Sequence, residues 1–431
     1  MKGPIRWAEP GDVRSLAGEK TRLLLDSSRN RETRAEYEDR GGYLPGLDGA
    51  DLIEAVGAAC LLGRGGAAFP AAIKLRSVRD RDGPRYLVAN GEEGEPLSVK
   101  DRWLLRIRPH LVLDGAFRVA RAISAAKIFI YVADPLAGVS VREALEELSE
   151  LGCPVEIVQV APAYVAGEET AVVRAINGGP ALPTDKPPRP FEAGVDGRPT
   201  LVANVETLAN IPFVDSRGPR PCSASASGVR PADTFLLTLS RASRNPGLYE
   251  VTFDSRLADV LEHTGGVGSL IQGASMGGFF AGLIGPRVLG LPLSYHGLRE
   301  QGSGLGCGAI WLIGGAECPV QVAADVMYYF LNNNARQCGP CIRGTGAMSA
   351  ALDRLAASSA TADDLTRLTG WATSLRGRGA CAYLDGAANL PATLLREFGE
   401  HVDQHRIGPC PRSGHAEPGH RLDRLKVPVA D

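Results

Sequence analysis

Residues 86–96 run Tyr86-Leu87-Val88-Ala89-Asn90-Gly91-Glu92-Glu93-Gly94-Glu95-Pro96. Four apolar residues followed at once by a Gly-rich acidic turn read as a buried strand ending at a ligand-facing edge. The surroundings repeat the pattern. Leu52, Ile53, Val56 and Cys60 recur at helical spacing, and residues 110–124 read as a helix. Residues 128–132 read as a strand, Val141, Leu145, Leu148 and Leu151 as a helical stripe, 155–160 as a third strand and 168–176 as a helix. Strands alternating with helices predict an α/β fold of parallel βαβ units, with ligand sites at the carboxyl ends of the strands.

Outside this alternation the composition changes. Residues 178–199 are rich in Pro and Gly and read as irregular chain. Residues 234–240 and 247–253 predict two strands joined by a turn containing Asn245-Pro246, followed by a short helix over 257–263. That is a small α+β module. Further on, four apolar stripes predict a helical bundle: Val322, Val326, Phe330; Met348, Leu352, Leu355; Leu365, Leu368, Trp371, Leu375; and Leu394, Leu395, Phe398, Val402. The tail after Ile407 has no periodicity and predicts a flexible end.

Length and charge set the outer bounds. At about 100–200 residues per domain, 431 residues suggest two to four domains. Lys plus Arg is 47 and Asp plus Glu 49, a net charge of −2, so no global basic field exists to hold nucleic acid. Nine cysteines are too sparse and too odd in number for a disulfide scaffold, and no signal peptide is visible. A reducing, cytoplasmic setting is the expectation. The uncharged stretch 264–286 is long enough to span a bilayer, but its eight glycines suit packed loops better.

Six constellations carry chemical potential, each beside a plainer reading. Gly63-Arg64-Gly65-Gly66-Ala67-Ala68-Phe69-Pro70 can bring backbone N–H groups close to phosphate, with Arg64 and Lys74 adding positive charge, or simply connect two helices. Glu92, Glu93 and Glu95 after Asn90 place three mutually repelling carboxylates at a strand end, where they can accept hydrogen bonds from ribose or amide groups; otherwise they form a solvated turn. Gly167-Glu168-Glu169-Thr170 at a helix start suits the dipole without any ligand. Asn204-Val205-Glu206-Thr207 alone is little more than a cap. Cys338-Gly339-Pro340-Cys341, with Cys381, follows a helical pattern, which favours metal or iron–sulfur over a redox dithiol. His401, His405, Cys410, His415 and His420 include a one-turn His pair able to hold a metal, or lie exposed on a last helix and its tail.

In order, these stretches resemble the NADH-oxidising flavoprotein subunit of respiratory complex I, shared with NAD-linked hydrogenases and formate dehydrogenases. The family pattern G-R-G-G-A-G-F-P looks like residues 63–70, and N-A-D-E-x-E-P-x-x-x-K-D-R like residues 90–102, with Lys100, Asp101 and Arg102. A-Y-I-C-G-E-E-T-A-L resembles residues 163–172, K-P-P-F-P residues 186–190, and N-N-V-E-T-L residues 203–208. The similarity covers about residues 50–405.

The resemblance implies a Rossmann-like FMN/NAD(H) domain over 1–213, a ubiquitin-like β-grasp (SLBB) domain over 214–315, a helical iron–sulfur-binding bundle over 316–406 and a flexible tail over 407–431. It implies FMN contacts at Gly63, Arg64, Gly65, Lys74, Asn90, Glu92, Tyr164, Asn204 and Thr207, with Gly66 and Gly167 as further cofactor-binding positions. NADH contacts fall on Phe69, Glu93, Glu95, Glu168 and Glu169. It implies hydride transfer from NADH to FMN, then single electrons through a [4Fe–4S] cluster to a ferredoxin-like or quinone-reductase partner. Cys338, Cys341 and Cys381 match three cluster ligands, Ala335 replaces the fourth, and Cys410 is the candidate substitute. Arg189 stands where the family has a stacking phenylalanine, Ala68 where it has glycine and Ala203 where it has asparagine. Two other readings are a degenerate, non-catalytic scaffold that has lost its cluster, and a structural protein binding zinc through its C-terminal Cys and His residues.

Overall fold

The structure, a computed structural model, describes residues 11–25, 30–217 and 234–412. Among them, ten strands form two sheets. β1 (Asp12–Ser15) is the first element among the described residues and joins the second sheet. α1 (Arg34–Asp39), α2 (Gly49–Ala58) and α3 (Ala71–Arg79) precede the first. That sheet comprises β2 (Arg85–Asn90), β3 (Ala125–Val132), β4 (Val155–Gln159) and β5 (Thr200–Asn204) in the order β4-β3-β2-β5, every pairing parallel.

Its crossovers are helical. α4 (Lys100–Ile107) and α5 (Pro109–Ala122) follow β2; α6 (Pro135–Glu146) follows β3; α7 (Glu169–Ile176) follows β4; α8 (Val205–Ala209) and α9 (Ile211–Arg217) follow β5. The run Leu87-Val88-Ala89 is apolar throughout because both faces of β2 are covered. Leu87 and Ala89 join the large core with Ile128, Ile130 and Leu201, while Tyr86 and Val88 meet Phe129, Tyr131 and Val172 on the other face. The expected strands and helices of this half are present, so the mixed α/β class with a parallel sheet holds.

The second sheet is mixed. β6 (Thr234–Arg241) and β7 (Gly247–Thr252) form the expected antiparallel hairpin, and α10 (Leu257–His263) follows. β8 (Ile271–Met276) and β9 (Leu283–Ile284) come next, then α11 (Tyr295–Glu300) and β10 (Ala309–Gly314). The order is β1-β7-β6-β10-β8-β9, with β10 parallel to β6. Residues 264–286 therefore supply strands, and no helix among the described residues is long and apolar enough to cross a membrane. β1 pairs in parallel with β7, Val13 opposite Leu248, so residues 12–15 cross the boundary expected at 213. The Glu250 carboxylate secures this crossing: it accepts from the backbone N–H groups of Arg22, Leu23 and Leu24 at 2.9–3.1 Å and from the Thr234 hydroxyl at 2.7 Å.

The remainder is helical: α12 (Pro319–Asn333), α13 (Gly339–Ala356), α14 (Ala362–Ser374), α15 (Tyr383–Glu397) and α16 (Gly399–Ile407). The single stripe Leu394–Val402 spans two helices rather than one, because Phe398 leaves the helical region at φ −130° and ψ 34°. Both Phe398 and Val402 still enter the bundle core. The chain just past Ile407 is not loose, since Cys410 is buried; residues 413–431 of the expected flexible tail, with His415 and His420, lie outside the described residues.

Candidate active site

The glycine loop closes on itself before α3. Gly63 N–H donates to the Phe69 carbonyl at 2.9 Å and Ala71 N–H to that of Leu61 at 2.9 Å. Gly66 takes φ +114°, a conformation that disfavours side chains, and Ala68 sits at φ +52° where the family pattern has glycine. A Cβ on Gly65 would already stand 3.4 Å from that of Asn204, so the loop lies directly over the end of β5. Arg64 N–H anchors it by donating to the Thr207 hydroxyl at 2.9 Å.

The Arg64 side chain is 1% exposed and turns toward the second sheet. Its guanidinium lies 4.6 Å over the Phe253 ring and donates to the Thr234 carbonyl at 3.2 Å, joining the loop to the second sheet.

At the strand ends, Asn90 Nδ2 donates to the Gly167 carbonyl at 2.9 Å and Asn204 Nδ2 to Asp101 at 2.7 Å. Beneath them lies Lys100, fully buried, with Nζ 2.6 Å from Asp101 and 3.0 Å from Glu206. Burial opposes its charge, but these two carboxylates more than offset it and raise its pKa above the ordinary value. Glu206 in turn accepts from Leu236 N–H at 3.0 Å. Lys100 and Glu206 are thus central supports, legible only as members of the family patterns.

The three acidic residues do not confront one another as a single repelling patch. Glu93 turns inward, accepts from Ser98 Oγ at 2.5 Å and from the N–H groups of Asp101 and Arg102 at 3.2 Å, and pairs with the Arg102 guanidinium at 3.4 Å. It braces the start of α4, a structural role that mutual repulsion alone would not predict. Glu95 accepts from Phe279 N–H at 3.0 Å and the Tyr164 hydroxyl at 3.2 Å, and burial pushes its pKa up to about 7. Glu92 is buried beside Gly167, where a Cβ would come 2.6 Å from its Oε2. Its Oε2 has no hydrogen-bond partner, and burial pushes its pKa up to about 8, which favours the protonated carboxyl.

The rim is charged but already paired. Glu168 caps α7, accepting from Thr170 and Ala171 N–H, and pairs with Lys186 at 2.7 Å. Glu169 pairs with Lys186 at 3.0 Å and Lys74 at 3.4 Å. Against the effect of burial, the two ammonium groups hold Glu169 below the usual carboxylate range. Phe69 stands half exposed at the end of the glycine loop.

The cysteines divide into two groups. Cys338, Cys341 and Cys381 line one cavity together with Ala335, Arg336, Gln337 and Tyr383. Burial and the neighbouring thiols push Cys341 up to about 12. Three soft donors and the Ala335 methyl line one cavity, which suits a cluster held by three thiolates. Cys410, the expected substitute, does not line this cavity; it lies with Cys318 and His405 instead. His401 points elsewhere, to Gln272 at 3.0 Å, so the one-turn His pair is not a joint ligand set. Between the two regions, the Tyr164 ring meets Tyr329, Phe330 and Tyr383 edge-on at 5.4–5.9 Å, linking the acidic turn to the cysteine cavity.

A glycine loop over the strand ends of a parallel α/β sheet, next to a helical region whose thiols line one cavity, is the setting of a cofactor- and metal-binding protein. Residues 56–213 match the Nuo51 FMN-binding domain, and residues 321–405 the NADH-ubiquinone oxidoreductase-F iron-sulfur binding region. The F 2 subunit of NADH-quinone oxidoreductase from Rhizobium meliloti is 33% identical over 87% of this chain and 95% of its own; the F subunit from Streptomyces coelicolor is 32% identical over 84% of each. A crystal structure of NAD+-reducing [NiFe]-hydrogenase in the H2-reduced state superposes with a TM-score of 0.73 at 28% identity, covering 84% of this chain and 63% of that one. The chain belongs to the family of NADH-quinone oxidoreductase F subunits. FMN and an iron–sulfur cluster are its cofactors, as the resemblance implied.

Proposed function

We propose that this chain is the NADH-oxidising subunit of a complex I-like or hydrogenase-like redox assembly, taking a hydride from NADH and delivering single electrons to an iron–sulfur partner. Bound at the strand ends, FMN supplies the conversion between two-electron and one-electron transfer, which nicotinamide alone does poorly. Gly63, Gly65 and Gly66 let the backbone approach it. Asn90, Asn204 and the neutral Glu92 supply hydrogen bonds, and Lys100 holds the Asn204 amide in place. Phe69, Glu168 and Glu169 are the proposed nucleotide edge, where Glu169 opposes a 2′-phosphate and so favours NADH over NADPH.

In the same reading, the second sheet is the β-grasp (SLBB) domain and the bundle carries the cluster on Cys338, Cys341 and Cys381. The partner is ferredoxin-like or another iron–sulfur protein. The observation that carries the proposal is the glycine loop set against Asn204 at the end of β5, where Gly65 brings no Cβ to the strand ends. The matched iron–sulfur region speaks against a scaffold that has abandoned redox chemistry.

The test is the absorption spectrum of protein purified without oxygen and supplied with FMN, iron and sulfide. Flavin bands over a broad cluster band, both bleached by NADH, are expected. Protein that retains no flavin after desalting would refute the site. Comparable kcat/KM for NADPH would refute the assignment of Glu169 alone.

A further inference from the structure

Cys318, His405 and Cys410 include partners far apart in sequence, yet their ligand atoms all fall within 4.8 Å of one another. Cys318 is the residue before α12, His405 is on the last turn of α16, and Cys410 lies just beyond it. All three are buried, at 2%, 1% and 9% exposure. Cys318 Sγ stands 3.1 Å from His405 Nε2. No carboxylate among the described residues joins the group.

This donor set is chemically selective. Two thiolates and an imidazole suit zinc, whereas calcium and magnesium want oxygen ligands. With Zn–S of about 2.3 Å and Zn–N of about 2.0–2.1 Å, tetrahedral ligand atoms stand about 3.5–3.8 Å apart. The ligand atoms, one pair at 3.1 Å and all within 4.8 Å, bracket that size, so small side-chain shifts bring them onto an ion.

We infer that Cys318, His405 and Cys410 form a zinc site distinct from the iron–sulfur cavity, with Nε2 of His405 as the nitrogen ligand. Cys410, the most accessible of the three, leaves the side from which the ion enters and where a water takes the fourth position. Binding releases the two thiol protons. The ion ties the start of the bundle to the end of its last helix, a structural duty that the redox reaction does not require.

The experiment uses full-length protein, purified under reductant, with zinc, iron and flavin measured on the same sample. Stoichiometric zinc is expected in the wild type. It should persist in Cys338→Ser/Cys341→Ser/Cys381→Ser, which removes the other thiols, and vanish in Cys410→Ser with flavin unchanged. Cobalt added to the zinc-free triple variant should give thiolate-to-cobalt charge-transfer and tetrahedral d–d bands, absent once Cys318→Ser is added. Wild-type protein that binds its flavin but neither zinc nor cobalt would overturn the site, as would uptake unaffected by Cys410→Ser and Cys318→Ser. Missing iron or flavin bears instead on the redox function, so the two failures are separable.

Discussion

The strand-end site and the cysteine cavity are built on opposite plans. Around β2 and β5 most charged groups already have partners: Lys100 with Asp101 and Glu206, Glu93 with the start of α4, Glu169 with two lysines. In the cavity, three thiols face one another and a methyl group. The first site is preorganised and folds as it stands, so its ligand meets a fixed shape. On the proposed reading, the second gains its strongest interactions only when iron arrives: one region stores its order in the polypeptide, the other in an inorganic guest.

Breaking the preorganised site should produce the largest effect. Lys100→Met would leave Asp101 and Glu206 buried without a counter-charge, and should cost about 3–5 kcal/mol in urea unfolding. A loss under about 1 kcal/mol would show that the triad is not the keystone of the site. Gly65→Val should overpack against Asn204 by about 1–3 kcal/mol, which lowers flavin affinity by roughly five- to hundredfold while the fold survives. Flavin titration followed by fluorescence decides it; unchanged affinity would move the ligand off the loop.

Glu92 offers a pH-dependent break. Its pKa is raised from 4.5 to about 8 by burial, so the native state holds a proton that the unfolded chain has lost. Stability from this group is complete below about pH 4.5 and falls as pH rises toward about 8, by at most about 1.4 kcal/mol per pH unit. Glu92→Gln mimics the neutral acid and should flatten that slope in part, since Glu95 contributes a similar one up to about 7. Identical slopes for variant and wild type would count against a protonated Glu92. The smallest change in fold stability, and a sharpening rather than a break, is expected for Ala335→Cys. It should alter the iron-free protein by no more than about 0.5 kcal/mol, yet slow iron loss in air severalfold by supplying a fourth thiolate. Equal loss rates would mean that residue 335 does not face the missing corner.

Much of this was legible in the sequence. Tyr86–Ala89, residues 110–124 and the hairpin at 234–253 carry apolar periodicity strong enough to define their elements. β1 was not legible, because Asp12-Val13-Arg14-Ser15 has no apolar run and owes its strand to pairing with β7. The glycine loop and the Cys pair announced themselves as local motifs. The direction of the Arg64 side chain did not, because Phe253 and Thr234, which fix it, lie far away in sequence. Cys318 was invisible for the same reason: a lone cysteine gains meaning only when folding brings His405 and Cys410 to it.

The crossing held by Glu250 bears on how such proteins can be rearranged. The second sheet takes its outermost strand from the beginning of the chain, and Glu250 fastens the residues behind that strand. A fragment starting at residue 234 would carry a carboxylate evolved for three vanished amides, beside a bare sheet edge. Gene fusion or domain shuffling at the apparent seam would thus separate a lock from its key. The piece that can be inherited intact includes both ends of the sheet, and its borders in the gene are not those of its architecture.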